Sequence, residues 1–161
     1  MAVRDEFNRT VCACSKCRSF CKIIPGMLAP GDPERIAEYL GISSIEVNGR
    51  LLASPGAIVV HRYTGSVGRI HTIVPERTAE GVCVFLDEQE RCTIHPVAPF
   101  GCAYLDDHLP AREGNRRSSA ALQEIIRSPW YEARWMRLWH ANRRAPAPEK
   151  LRARIAKSPK R

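Results

Sequence analysis

Apolar residues at helical spacing occur in two separate parts of the chain, on either side of a β-like middle. The first part is short. Ile36, Tyr39 and Leu40 share one face behind Asp32-Pro33, and Gly41 follows as an exit. Asp accepts a free N–H at a helix start, Pro needs no donor at the first helical position, and Gly tolerates the left-handed exit. Ser43 and Glu46 have capping-box spacing, which predicts a second short helix through Leu51-Leu52. The other helical part begins at Ser118, where Ala121, Leu122, Ile125 and Ile126 lie three and four apart. Ser128-Pro129 ends that helix and caps another, whose apolar-aromatic side holds Trp130, Tyr131, Trp135, Leu138 and Trp139. A shared helical side predicts that the three tryptophans pack on a core.

The middle has a different period. Ser54-Pro55-Gly56 reads as a break, after which residues 57–63 and 69–74 read as two strands of a hairpin around residues 64–68. Residues 82–86 read as a short strand and 87–90 as a polar turn. Pro96, Pro99 and Gly101 make residues 95–102 irregular but stiff. Residues 12–24 show neither period and run into Pro25-Gly26, a turn signal, so they read as a loop. The expected fold class is α+β: a small irregular domain with short strands and a hairpin, followed by a C-terminal helical segment. The expected organisation is a domain over residues 1–111, a helical extension packing on it over 112–144, and a basic, flexible tail over 145–161.

Charge supports that division. The chain has 161 residues and a net charge of +8. Residues 1–111 hold 11 Lys and Arg against 13 Asp and Glu, whereas residues 112–161 hold 14 against 4, so the basicity belongs to the last third. Arg interleaved with Trp and Tyr fits nucleic-acid contact, and equally fits a helix with one packed and one wet face. The tail residues Lys150, Arg152, Arg154, Lys157, Lys160 and Arg161 have little to pack against, and could meet a nucleic acid or an acidic protein partner. The first ten residues are polar and no stretch approaches the ~18 apolar residues of a membrane span. A soluble cytoplasmic protein without a membrane partner is the expectation.

Cysteine changes the picture most. Seven thiols fall into two distant stretches: Cys12, Cys14, Cys17 and Cys21, then Cys83, Cys92 and Cys102. A reducing compartment keeps thiols free, which favours metal ligation over disulfides. Thiolates select zinc, cuprous copper or iron–sulfur clusters over hard ions. Cys14-x2-Cys17 suits one metal approached from a tight turn, Cys21 follows after three residues, and Cys83-x8-Cys92 straddles a turn that brings those sulfurs near each other. The ligand set read from this pattern is Cys14, Cys17, Cys21, Cys83, Cys92 and Cys102, with Cys12 a spare thiol. Six sulfurs exceed one four-ligand site, so either two are accessory or there is more than one metal. An iron–sulfur cluster, foremost [4Fe–4S], and zinc both fit. A Cys14–Cys17 redox pair would leave the distant thiols unexplained. His95 and His108 flank Cys102 and could complete a zinc site or, with Asp106 or Asp107, form an iron site. His61, His71 and His140 read as ordinary surface or hydrogen-bonded histidines.

The second stretch resembles the YkgJ-type cysteine-cluster proteins, a domain described as zinc- or iron-chelating. The residues that carry the resemblance are Gly81-Val82-Cys83-Val84-Phe85-Leu86-Asp87, Arg91-Cys92-Thr93-Ile94-His95-Pro96 and Pro99-Phe100-Gly101-Cys102. Cys14 and Cys17 match the family's upstream Cys-x2-Cys-Cys. Arg18 stands where the adjacent Cys would be, Cys21 comes three residues later, and Ala98 replaces a customary Arg. The resemblance spans about residues 12–105 and implies metal chelation through iron–sulfur or zinc. Two other classes remain open: an iron-dependent enzyme modifying a protein or small molecule, and a zinc-stabilised nucleic-acid-binding module. No Ser-His-Asp set, phosphate-cradling glycine loop or dinucleotide fingerprint is evident, so no reaction follows from the sequence.

Overall fold

The structure is a computed structural model of the chain, and it describes residues 2–10, 12, 14–23, 25–60 and 64–146. The expected strand residues 61–63 with His61, and all of the basic tail from residue 147, lie outside the described residues.

The architecture is α+β. A 3-10 turn (Val3–Glu6) leads to α1 (Ser15–Ile23), α2 (Asp32–Leu40) and α3 (Ser44–Asn48). Strands β1 (Leu51–Val60) and β2 (Val67–Pro75) form an antiparallel hairpin. A second 3-10 turn (His95–Val97) and the short α4 (Phe100–Ala103) precede the C-terminal helices α5 (Ala111–Arg127) and α6 (Pro129–His140). Among the described residues no helix is long and apolar enough to cross a membrane.

Several local expectations change in three dimensions. Residues 15–23 are helical rather than a loop, because Cys14 caps the helix: its carbonyl accepts from Arg18 N at 3.0 Å and its Sγ from Cys17 N at 3.5 Å. The strand begins at Leu51, not after Gly56. Pro55-Gly56 is absorbed as a bulge between Ser54 and Ala57, and there Gly56 (φ 113°) passes the Ile70 carbonyl too closely for any Cβ. Residues 82–86 form isolated bridges, Arg77 with Cys83 and Leu86 with Cys92, instead of a strand. Helix α5 starts seven residues earlier than the apolar period, because its first turns are amphipathic through the buried Arg117. Trp130 is 82% exposed, while Trp135 is buried and Trp139 partly so. Trp135 and Trp139 are one helical turn apart, and Trp130, five residues before Trp135, points to another side.

One apolar cluster lies between the hairpin, α2, α3 and α6, built on Leu28, Ile36, Val47, Leu51, Ile73, Phe85, Tyr131, Trp135 and Leu138. A second joins the N-terminal turn to α4 and α5 through Val3, Phe7, Ala29, Ala98, Phe100, Tyr104 and Ala121. Three buried polar groups tie the pieces together. The Asp32 side chain, expected to cap its own helix, turns inward instead. It accepts from Ala29 N and Phe100 N at 2.8 Å each and from Arg4 Nε at 2.7 Å. Tyr131 Oη donates to the Leu28 carbonyl and accepts from Ile73 N, both at 2.7 Å. Arg117 donates to the carbonyls of Asn8 (2.9 Å) and Tyr104 (3.1 Å) and to Glu113 (2.7 Å). Each satisfied donor and acceptor avoids a desolvation cost of about 1–3 kcal/mol.

Candidate metal centre

The two ends of α1 lead to different thiol groups. At its N-terminus Cys12, Cys14 and Cys17 meet His108, with all four ligand atoms within 4.8 Å of one another. Cys14 is the helix cap, and Cys17 lies one turn on, so the two sulfurs face the same way. His108 arrives from the loop between α4 and α5. Asp106 Oδ1 accepts from His108 N at 2.8 Å and Leu109 N at 3.0 Å, a side-chain turn that fixes the histidine's backbone. Lys16 on α1 pairs with Asp107 at 3.0 Å and pins that loop to the helix. His108 Nε2 lies 3.3 Å from Cys14 Sγ.

The electrostatics of this group favour one thiolate first. The Cys17 backbone N–H and then the His108 side chain hold the Cys14 thiol down at about 6. Desolvation and the neighbouring thiols Cys12 and Cys14 push Cys17 up to about 12. Donating a hydrogen bond to the Cys14 thiolate raises His108. A thiolate capping a helix N-terminus beside an imidazole is a ready first ligand, and a cation would draw off the remaining protons. Cys12, Cys14, Cys17 and His108 lie close enough to bind a metal.

The other expected ligands stand elsewhere. Cys21, two turns beyond Cys14, faces the domain interior with Cys83, Cys92 and Cys102. Cys83 N donates to the Cys21 carbonyl at 2.8 Å, and Cys102 Sγ accepts from Gly26 N at 3.3 Å. Burial pushes the Cys21 and Cys92 thiols up, and Cys83 to about 12. Cys102 is pushed up further, again by burial first. All seven cysteines are free thiols. His95 is exposed on the second 3-10 turn, its proton affinity lowered by desolvation and by Arg9. His71 stacks on Trp135 with ring centroids 3.6 Å apart and lies 3.0 Å from Glu132, and His140 ends α6.

Two members of the tight group were not in the ligand set read from the sequence. Cys12 looked spare because Cys14-x2-Cys17 already satisfied a motif, and the x1 spacing of Cys12 to Cys14 is not a helical or knuckle repeat. His108 was one of several candidate histidines, and nothing linear connects it to residues more than 90 positions earlier. The Asp106-Asp107-His108 run was the available signal.

The fold and this site define a small cysteine-rich α+β protein with a Cys3His group able to take a metal. No protein-family model, curated protein or solved structure matches the chain.

Proposed function

We propose that the chain is a zinc-binding protein whose first site is Cys12, Cys14, Cys17 and His108. The observation that carries this is the mutual approach of four ligand atoms within 4.8 Å. Tetrahedral zinc with bonds of about 2.3 Å to sulfur sets its ligand atoms about 3.8 Å apart, so small adjustments close the site. A [4Fe–4S] cubane carries its thiolates outside a core of four irons and needs them farther apart, which makes it a poorer occupant of this group. Three thiolates and an imidazole leave no open position, so zinc here is structural: it fastens the N-terminal segment and α1 to the loop before α5. The sequence resemblance to zinc- or iron-chelating cysteine-cluster proteins agrees with this reading.

The test is metal quantitation on protein purified with zinc, followed by cobalt substitution. One zinc at this site, and a cobalt derivative with intense tetrahedral ligand-field bands, is the expected result. Cys12→Ser and His108→Ala should each abolish the cobalt spectrum. Retention of that spectrum in both variants would remove these residues from the ligand set.

A further inference from the structure

A small cleft lies where α6 passes the start of α2, and it shares no residue with the Cys3His group. Pro30, Gly31 and Glu34 line it on one side, and Trp130, Arg134 and Arg137 of α6 on the other. Those three α6 residues sit at i, i+4 and i+7, so they share one stripe of the helix. Trp130 is 82% exposed, which leaves its ring open to a ligand. The Arg137 side chain is exposed and makes no hydrogen bond or ion pair among the described residues. Both helices begin at this cleft, α2 without a side-chain cap, so their positive ends add to the two guanidinium charges.

Arg134 is set up for a two-oxygen acceptor that Glu34 supplies only in part. Its side chain is 14% exposed, and its Nη2 donates to Glu34 Oε1 at 2.6 Å. Its Nε is buried with no hydrogen-bond partner among the described residues. Nε and Nη2 point along one edge of the guanidinium, which fits two oxygens of a single acceptor. Arg116 shows that edge filled: its Nε and Nη2 donate to the two oxygens of Glu113 at 3.0 and 3.2 Å. Arg134 holds only half of the same fork, and a buried donor left unpaired is costly. The Glu34 side chain is 57% exposed, so it can turn into water and leave the edge to an incoming oxyanion.

Volume and charge select the oxyanion. The cleft holds about 170 Å³, below the roughly 300–1,000 Å³ of a site that encloses a whole small molecule. It therefore takes one group of a ligand and leaves the rest outside. Arg134 and Arg137 together match a dianion, which a phosphate monoester approaches at neutral pH and a carboxylate does not. Trp130 offers a face for a flat ring, and an exposed indole stacks on any nucleobase. A sugar between phosphate and ring lets the phosphate enter while the ring lies on Trp130. We propose that this cleft binds a nucleoside monophosphate. The phosphate takes the Nε–Nη2 edge of Arg134 and pairs with Arg137, the base stacks on Trp130, and Glu34 is displaced. Glu34 is then a built-in competitor, its carboxylate holding the site until the ligand arrives.

The experiment titrates the full chain with adenosine monophosphate, following tryptophan emission and heat. The expected result is saturable binding of a single nucleotide per chain that quenches emission, with ribose 5-phosphate and adenosine each weaker by about tenfold or more. Trp130→Ala should weaken the nucleotide about tenfold, abolish the quench and leave ribose 5-phosphate unchanged. Arg134→Lys keeps the charge and loses the fork, and should weaken the nucleotide and ribose 5-phosphate alike, by about tenfold. Glu34→Gln should tighten the nucleotide several-fold, because the competing carboxylate is gone; a damaged fold does not produce a tighter complex. No saturable binding at millimolar nucleotide would overturn the proposal. So would an affinity unchanged in both Trp130→Ala and Arg134→Lys, or one weakened by Glu34→Gln. Phenyl phosphate binding as tightly as the nucleotide would overturn the assignment to a nucleoside.

Discussion

Gly26 and Gly101 meet face to face beside Cys102, and replacing Gly26 with alanine tests the inner thiol set through packing alone. A Cβ on Gly26 would lie 2.3 Å from the Gly101 carbonyl carbon and 2.4 Å from Cys102 N. Both are backbone atoms, so no rotamer change relieves the clash. Gly101 is equally confined, with its own Cβ position 2.5 Å from Met27 N. Overpacking of this kind costs about 1–3 kcal/mol, and the rigid partners place it at about 3 kcal/mol. Alanine also restricts the unfolded chain, which returns roughly 0.4–1 kcal/mol. The net destabilisation is about 2 kcal/mol, or a melting temperature lower by about 4–8 °C for a chain of this size. The assay is a thermal melt of the chelator-treated protein. Gly26→Ala should melt earlier, because the short helix α4 that carries Cys102 must move away from residue 26. A variant that melts within about 1 °C of the parent would refute the close approach and the seat it provides for Cys102.

Other changes read out other parts of the molecule. Tyr131→Phe strands the Leu28 carbonyl and the Ile73 N–H in the core, and should cost about 2–4 kcal/mol in chemical denaturation with little change in the slope. Asp106→Ala removes the acceptor that shapes the His108 turn without touching the ligand atoms. It should weaken cobalt binding about 10–100-fold in competition with a chelator, and an unchanged affinity would show that His108 does not depend on that turn. Glu113 is held down at about 2 by Arg116 and then Arg117, below its ordinary 4.5. The unfolded chain therefore binds the extra proton first, so this group's contribution is intact above pH 4.5 and fades as pH falls toward 2. Glu113→Gln should flatten the acid limb of stability against pH, and an identical limb in the variant would exclude this pair as its source.

Much of the scaffold is written in local chemistry. Ser43 with Glu46, Pro129 after Ser128 and Gly41 after Leu40 set helix ends through contacts a few residues long. Val, Ile and Thr over residues 67–75 mark a strand, and burial rises along β2 from exposed Val67 to buried Pro75. Cysteine in two stretches already pointed to metal. What a linear reading handles badly is competition between local and distant partners. Pro55-Gly56 looks like a break, yet pairing with β2 carries the strand through it as a bulge. Asp32 looks like a cap, yet Arg4 and the backbone near Phe100 claim its oxygens. The thiols show the same limit most clearly. Spacing groups Cys14, Cys17 and Cys21 together, but the rise along α1 carries Cys21 to the far end of the helix, two turns from Cys14. Only the folded chain adds Cys12 and His108 to one group and sets Cys21 beside Cys83. Residue type and local spacing decide what a side chain can ligate. Which ligands share a metal depends on where a helix points and which loop lies against it, and those are properties of the packed whole.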